Sequence, residues 1–247
     1  MKSLPSLSAL IVAGCSVTPL TGKITPGEEA FVIVVGEGDN GETDLFAAPA
    51  TNGAFYRLTF SRPSEESPKL SPEGKRVAFL RRYPDGKGEL AILNLENMGE
   101  TLIPLDTLGH QPRIGWSALG DSVAVFNGKT LGIVTIGQGG LTLLPVAGAD
   151  NAPVDSISRE RLGDPVFAMV DACRKTTGLC AVAATGETPL GAGATDPFHW
   201  GKAAVAYLTE GRVEVRPLGG GSTKLLNWPN PPKGIRQPTY YPGPTGR

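Results

Sequence analysis

Residues Ser67 to Leu105 read SPKLSPEGKRVAFLRRYPDGKGELAILNLENMGETLIPL, and the fold turns on this stretch. Ser71-Pro72-Glu73-Gly74 forms a turn, because proline presets φ and glycine supplies positive φ. Val77 to Leu80 is a short apolar run, as a strand buried on both faces shows. Pro84-Asp85-Gly86 turns the chain a second time, and Leu90 to Leu93 is the next strand. Asn97-Met98-Gly99 is a third turn, and Thr101 to Leu105 completes the unit. Turns about every ten residues predict a four-stranded antiparallel meander.

The rest of the chain repeats this unit imperfectly. Gln111 to Val125 lies over it at a shift of 46 residues, matching Leu70 with Trp116, Ser71 with Ser117, Gly74 with Gly120, Val77 with Val123 and Ala78 with Ala124. Pro197 to Tyr207 is a third copy, with Trp200 in the tryptophan position. The second half of the unit recurs at Leu45 to Thr59, Gly132 to Leu144, Leu179 to Leu190 and Val213 to Leu226. Self-similarity spaced roughly 40 residues apart is the period of propeller blades. Trp116 and Trp200 align in the repeat and are expected between blades.

A proline ahead of Trp-Ser-x-x-Gly-x-x-Val-Ala resembles the TolB-like (WD40-like, PD40) β-propeller repeat, with SPKLSPEGKRVAF and QPRIGWSALGDSVAVF as its two good copies. The resemblance covers most of residues 28 to 226. It implies an all-β fold of four-stranded antiparallel blades, five expected and six possible, and it leaves function open because that family's functions are diverse. The chain ends suggest how a ring would close. Gln237 to Gly246 looks like the first strand and turn of another unit, with a floppy proline-rich tail as the alternative, while Phe31 to Val35 looks like a second strand lacking its first. Pairing them would remove two open sheet edges. Asn227 to Pro232 is an extended connector.

Composition bounds the function classes. The chain has 247 residues, 40% hydrophobic and 19% charged, enough for one domain with a full core. The 33 glycines and 22 prolines suit many turns. A net charge of −1 gives no field that would recruit nucleic acid or acidic lipid. Arg81-Arg82 beside Tyr83 reads as a solvated edge.

The N-terminus reads as an address. Met1-Lys2 is basic and Leu4 to Ala13 is apolar but too short for a bilayer, which needs about 20 residues. Val12-Ala13-Gly14-Cys15 resembles a bacterial lipobox, with a buried N-terminal strand as the alternative. The resemblance implies a signal peptide over 1–14, diacylglycerol on Cys15, a tether over 15–27 and a single propeller domain over 28–247. Ser16 after the cysteine implies the outer membrane, periplasmic side, if the cell has one. Cys173 and Cys180 flank the hairpin loop Arg174 to Gly178. In an exported protein a bridge between them is expected, worth about 2.5 kcal/mol for so short a loop; two reduced thiols on opposite faces are the alternative. A metal site is not expected, since Cys-x₆-Cys has no histidine nearby, and no cofactor is implied.

Candidate chemistry is sparse. His110 and His199 precede the inner-strand segments and could serve as channel ligand or base, or simply as packing residues. Trp228, Tyr240 and Tyr241 lie off the repeat and suit either a binding surface or closure packing. Gly115-Trp-Ser117-Ala-Leu-Gly120 has the wrong spacing for a nucleophile elbow. Asp39 to Asp44 is a hairpin tip or a weak Ca²⁺ loop without EF-hand spacing. A propeller glycosidase would need converging carboxylates, for which Asp106, Asp155, Asp164 and Asp196 are the candidates. The expectation is a lipid-anchored, extracytoplasmic, non-catalytic module in the bacterial cell envelope, binding a protein or envelope component and no nucleic acid. The alternatives are a propeller glycoside hydrolase or lyase, and a structural subunit of an envelope complex.

Overall fold

A computed structural model describes residues 19–51, 53–105, 112–126, 130–137, 141–145, 166–168, 179–183, 186–191, 193–218 and 220–246. The first strands are β1 (Phe31–Glu37), β2 (Thr43–Pro49) and β3 (Tyr56–Arg57). The founding repeat supplies β4 (Ser64–Leu70), β5 (Arg76–Arg82), β6 (Gly88–Asn94) and β7 (Glu100–Leu105). Next come β8 (Arg113–Trp116), β9 (Ser122–Phe126), β10 (Thr130–Thr135) and β11 (Leu141–Pro145). Then follow β12 (Val166–Ala168), β13 (Leu179–Ala183) and β14 (Gly186–Gly191). The chain finishes with β15 (Thr195–His199), β16 (Ala204–Thr209), β17 (Arg212–Pro217), β18 (Lys224–Leu226) and β19 (Arg236–Tyr241).

These strands form small antiparallel sheets in a propeller-like arrangement. The meander β4-β5-β6-β7 appears as expected, and β8 to β11 and β15 to β18 repeat it. The first sheet has the order β19-β1-β2-β3. Phe31 lies opposite Tyr241 and Val32 opposite Tyr240, so the two chain ends pair as the strand edges predict. Five or six four-stranded blades were the expectation; four are described, because the sheet β12-β13-β14 has three strands among the described residues.

The strands alternate between two interfaces. Val77 and Phe79 of β5, with Ala91 and Leu93 of β6, face Phe31, Ile33, Val35, Leu45 and Tyr241 of the first sheet. Their neighbours Ala78, Leu80, Leu90 and Ile92 face Ile114, Val123, Val125 and Val134 of the third. In the last sheet Val205 and Tyr207 pack on Leu179, Ala181 and Leu190, while Ala206 and Leu208 pack with Trp228 and Tyr240. A period of two with both faces apolar is what a sheet sandwiched between sheets requires.

Three expectations change. The tether was expected to run to residue 27, but Leu20 and Ile24 are 1% and 4% exposed and belong to the first core cluster. Lys23 Nζ lies 4.3 Å from the Tyr56 ring centre, and the Tyr241 hydroxyl donates to the Gly27 carbonyl at 2.8 Å. Arg81 is not a solvated edge: its side chain is 9% exposed and held by two carboxylates. Tyr241 is not on a binding surface, being 2% exposed between Phe31 and the Ser71–Gly74 turn.

That turn is bound to the C-terminal strand. Gly74 has φ +72°, and a Cβ there would lie 2.6 Å from the Tyr241 ring. Gly74→Ala combines left-handed strain with overpacking, so we expect a loss of about 2 kcal/mol or more, read from urea unfolding midpoints at constant slope.

Candidate functional site

The first strands of neighbouring sheets touch one another: β15 meets β19, β19 meets β4, and β4 meets β8. They therefore line a common axis, and the ends where they begin define an upper face. The β1–β2 and β5–β6 hairpins and the β3–β4 connection lie on that face. The turns Ser71–Gly74, Asn94–Gly99 and Ser117–Gly120 lie on the lower one.

A local device recurs on the inner strands. Ser67-Pro68 in β4, Asp196-Pro197 in β15 and Gln237-Pro238 in β19 all interrupt the ladder, with register shifts there. Proline brings no N–H to a ladder, so the strand bulges past it. The residue before each proline is left-handed, with φ 57°, 45° and 48° for Ser67, Asp196 and Gln237.

The bulges are wired to one another. The Ser67 N–H donates to Gln237 Oε1 at 2.7 Å. The Gln237 N–H in turn donates to the Asp196 carboxylate, which also accepts from the Thr195 hydroxyl. Thus each side chain satisfies the backbone that the next sheet's bulge leaves unpaired. Burial pushes the Asp196 carboxyl above its ordinary value, against these hydrogen bonds and nearby Arg236. Further round, Trp116 Nε1 donates to the Lys69 carbonyl at 2.8 Å, which makes the repeat tryptophan an inter-sheet clasp.

Beside the axis lies a charged cluster that sequence reading missed. Glu65 is fully buried; it accepts from the Thr59 hydroxyl, from Ser61 Oγ at 2.8 Å and from Arg81 Nε at 3.1 Å. Arg81 also grips Glu100 with two bonds of 2.9 and 2.6 Å. Burial raises the Glu65 carboxyl above its ordinary value in spite of these partners.

On the upper face Arg57 sits between Asp39 and Asp44, at 2.5 and 2.6 Å, and donates to the Thr59 carbonyl. The acidic hairpin tip is therefore claimed by an arginine. Over that guanidinium, 4.5 Å from the ring centre, stands Phe60, which is 69% exposed. Phe60 lies in a connection with no periodic pattern; its only sequence signal is an aromatic in a turn segment, LTFSRPS. Among the described residues no group of three or more His, Cys, Asp or Glu could hold a metal ion.

The sequence candidates are dispersed. His199 ends β15, on the lower side, next to Phe198 and Trp200. Tyr240 stacks on Trp200 at 4.0 Å and 6°, across two sheets. Trp228 meets Phe55 edge-on at 5.3 Å and donates to the Pro49 carbonyl at 2.8 Å. Both aromatics take part in packing. Cys180 is buried and is not a free thiol. Cys15, Cys173, His110, Asp106, Asp155 and Asp164 lie outside the described residues.

No family model and no curated protein matches this chain. Among solved structures it is similar to TolB from Acinetobacter baumannii, at 15% identity over 90% of this chain and 68% of that one, with TM-score 0.39. A protein assigned as TolB from Agrobacterium tumefaciens is similar at 13% identity over 80% and 88%, with TM-score 0.37. A protein assigned as a 6-phosphogluconolactonase from Bacteroides uniformis is similar at 16% identity over 81% and 68%, also with TM-score 0.37.

Proposed function

We propose that this chain is a lipid-anchored, extracytoplasmic β-propeller that binds a protein or envelope component without catalysing a reaction. The observation that carries the reading is Phe60 over Arg57 on the upper face. An exposed aromatic on an arginine that two carboxylates hold in place is a rigid anchor, and aromatic and arginine side chains dominate binding hot spots. Pairing of β19 with β1 supports ring closure, and the lipobox resemblance of Val12-Ala13-Gly14-Cys15 supports a place in the envelope.

Capture from cross-linked membranes tests the binding role. Phe60→Ala should lose most of the captured partner while melting with the parent. Undiminished capture by that variant would move the site elsewhere. If instead the purified chain hydrolyses an envelope glycan and Asp196→Asn abolishes turnover, the enzyme reading replaces this one.

The address has its own tests. Cys15→Ser should remain at precursor size and take up no labelled palmitate; processing and labelling at wild-type levels would end the lipobox reading. The bridge we assign is Cys173–Cys180, and Cys180 being buried and engaged supports it. Non-reducing peptide mapping of exported protein should recover the linked pair, whereas alkylation of both residues without reductant would exclude it.

A further inference from the structure

Resting on the lipid-anchor reading, the geometry points to a fixed orientation: the lower face lies against the bilayer, and the upper face, with Phe60 and the inner-strand bulges, points away from it. The occupant of the lower face is the membrane held by this chain's own lipid.

The reason is the length of chain between anchor and core. Leu20 and Ile24 belong to the buried cluster that includes Leu95 and against which Tyr56 and Met98 pack, so the polypeptide is pinned from residue 20 onward. Tyr241 and Lys23 pin it further, at Gly27 and Tyr56. From Cys15 to Leu20 there are five Cα steps, which reach at most about 18 Å when fully extended. The pinned segment is at the lower end, because it feeds the start of β1, which faces the end of β19. It also packs beside the Asn94–Gly99 and Ser71–Lys75 turns: a Cβ on Gly27 would meet Lys75 and Glu73. Strand β5 alone, with seven residues, rises about 20 Å from the lower to the upper face. A tether of about 18 Å cannot carry the upper face round to the bilayer past a strand of that height and its loops.

Two lower-face features fit this placement. Leu119 stands 84% exposed at the tip of the Ser117–Gly120 turn. Beside it a groove of about 600 Å³ opens between the second and third sheets, with Ile92, Ile103, Val134 and Ile136 in its wall and Lys75 among its lining residues. Leu119 offers an apolar side chain to the headgroup boundary, while Lys75 is held by Glu96 at 2.7 Å, with Glu73 also in the groove. The turn carrying Leu119 is tied to the second sheet, since Arg76 donates to the Gly120 carbonyl at 2.8 Å.

The test uses the full lipidated chain, extracted from bacterial membranes and reconstituted into phosphatidylethanolamine–phosphatidylglycerol vesicles with an acceptor dye on the headgroups. A donor dye is placed on Leu119→Cys, lower face, or on Asn40→Cys, the exposed tip of the β1–β2 hairpin on the upper face; the parent chain without added cysteine controls for labelling. We expect donor emission from position 119 to fall by more than half and that from position 40 to fall several-fold less. Inserting twenty Gly/Ser residues after Ser16 should erase the difference while the protein still floats with the vesicles. Equal quenching at both positions, stronger quenching at position 40, or a difference that survives the long linker overturns the orientation. Failure of the parent to float with vesicles is a separate result: it removes the anchor itself, and with it the basis for any orientation.

Discussion

Removing residues 236 to 247 is expected to leave a protein that does not fold to a monomer. Strand β19 supplies the inner edge of the first sheet, pairing with β1 from Phe31↔Tyr241 to Val35↔Arg236. It buries Tyr241 against Phe31, with ring centres 5.7 Å apart, and sets Tyr240 on Trp200 of the last sheet. It also provides Gln237 and Thr239 as acceptors for the N–H groups of Ser67 and Leu70. Each fully buried large side chain is worth about 1.5–3 kcal/mol, and several are lost together with an edge ladder. Domains of this kind hold only about 5–15 kcal/mol in all. Size-exclusion chromatography and circular dichroism of the truncated chain should show aggregate or loss of the sheet signal. A soluble truncation melting within a degree or two of the full-length chain would show that these contacts contribute nothing.

The second large effect is expected at Arg81. Arg81→Met leaves Glu65 buried among Thr59, Ser61 and the first two sheets without its cation. Breaking a buried pair from one side costs about 3–5 kcal/mol, because a charge is stranded. Glu65→Gln should cost much less, since Arg81 keeps its two bonds to Glu100. The variants also separate by pH. Glu65 is already raised by burial, and loss of Arg81 raises it further. A carboxyl raised in the folded state carries no penalty below its unfolded value near 4.3, and stability falls as pH climbs from there through the folded value. Arg81→Met should therefore lose ground to the parent between pH 4.5 and 7 in parallel urea titrations. A constant gap across that range would place the cost in lost packing alone.

Much of this architecture was legible in residues 67 to 105, because a sandwiched sheet writes itself as short apolar runs between proline–glycine turns. The pairing of chain ends was legible for a different reason: Phe31–Val35 lacks a partner to one side, and Arg236–Tyr241 is a strand without a sheet. What escaped was whatever depends on partners far away in sequence. Glu65 and Arg81 look like solvent residues until the strands β4 and β5 place them together between two sheets. Leu20 and Ile24 sit in a polar, glycine-containing segment without periodicity, so nothing local marks them as core. Phe60 draws its meaning from Arg57, and Arg57 from a hairpin more than a dozen residues upstream. Tyr241 could be surface or closure by sequence; the glycine at 74 decides it, and the two lie about 170 residues apart.

The pairing of β19 with β1 also sets a timetable. Phe31 and Tyr241 are about 210 residues apart in the chain. Contacts of such sequence separation form slowly, because their loop must close before they contribute anything. A chain made from its N-terminus has Phe31 in place long before Tyr241 has emerged. Until then β1 is an uncovered edge and the Phe31 side of the core is wet. The early life of this protein is thus a waiting period with one sheet unfinished, and escorts that recognise open strands have their best opportunity then.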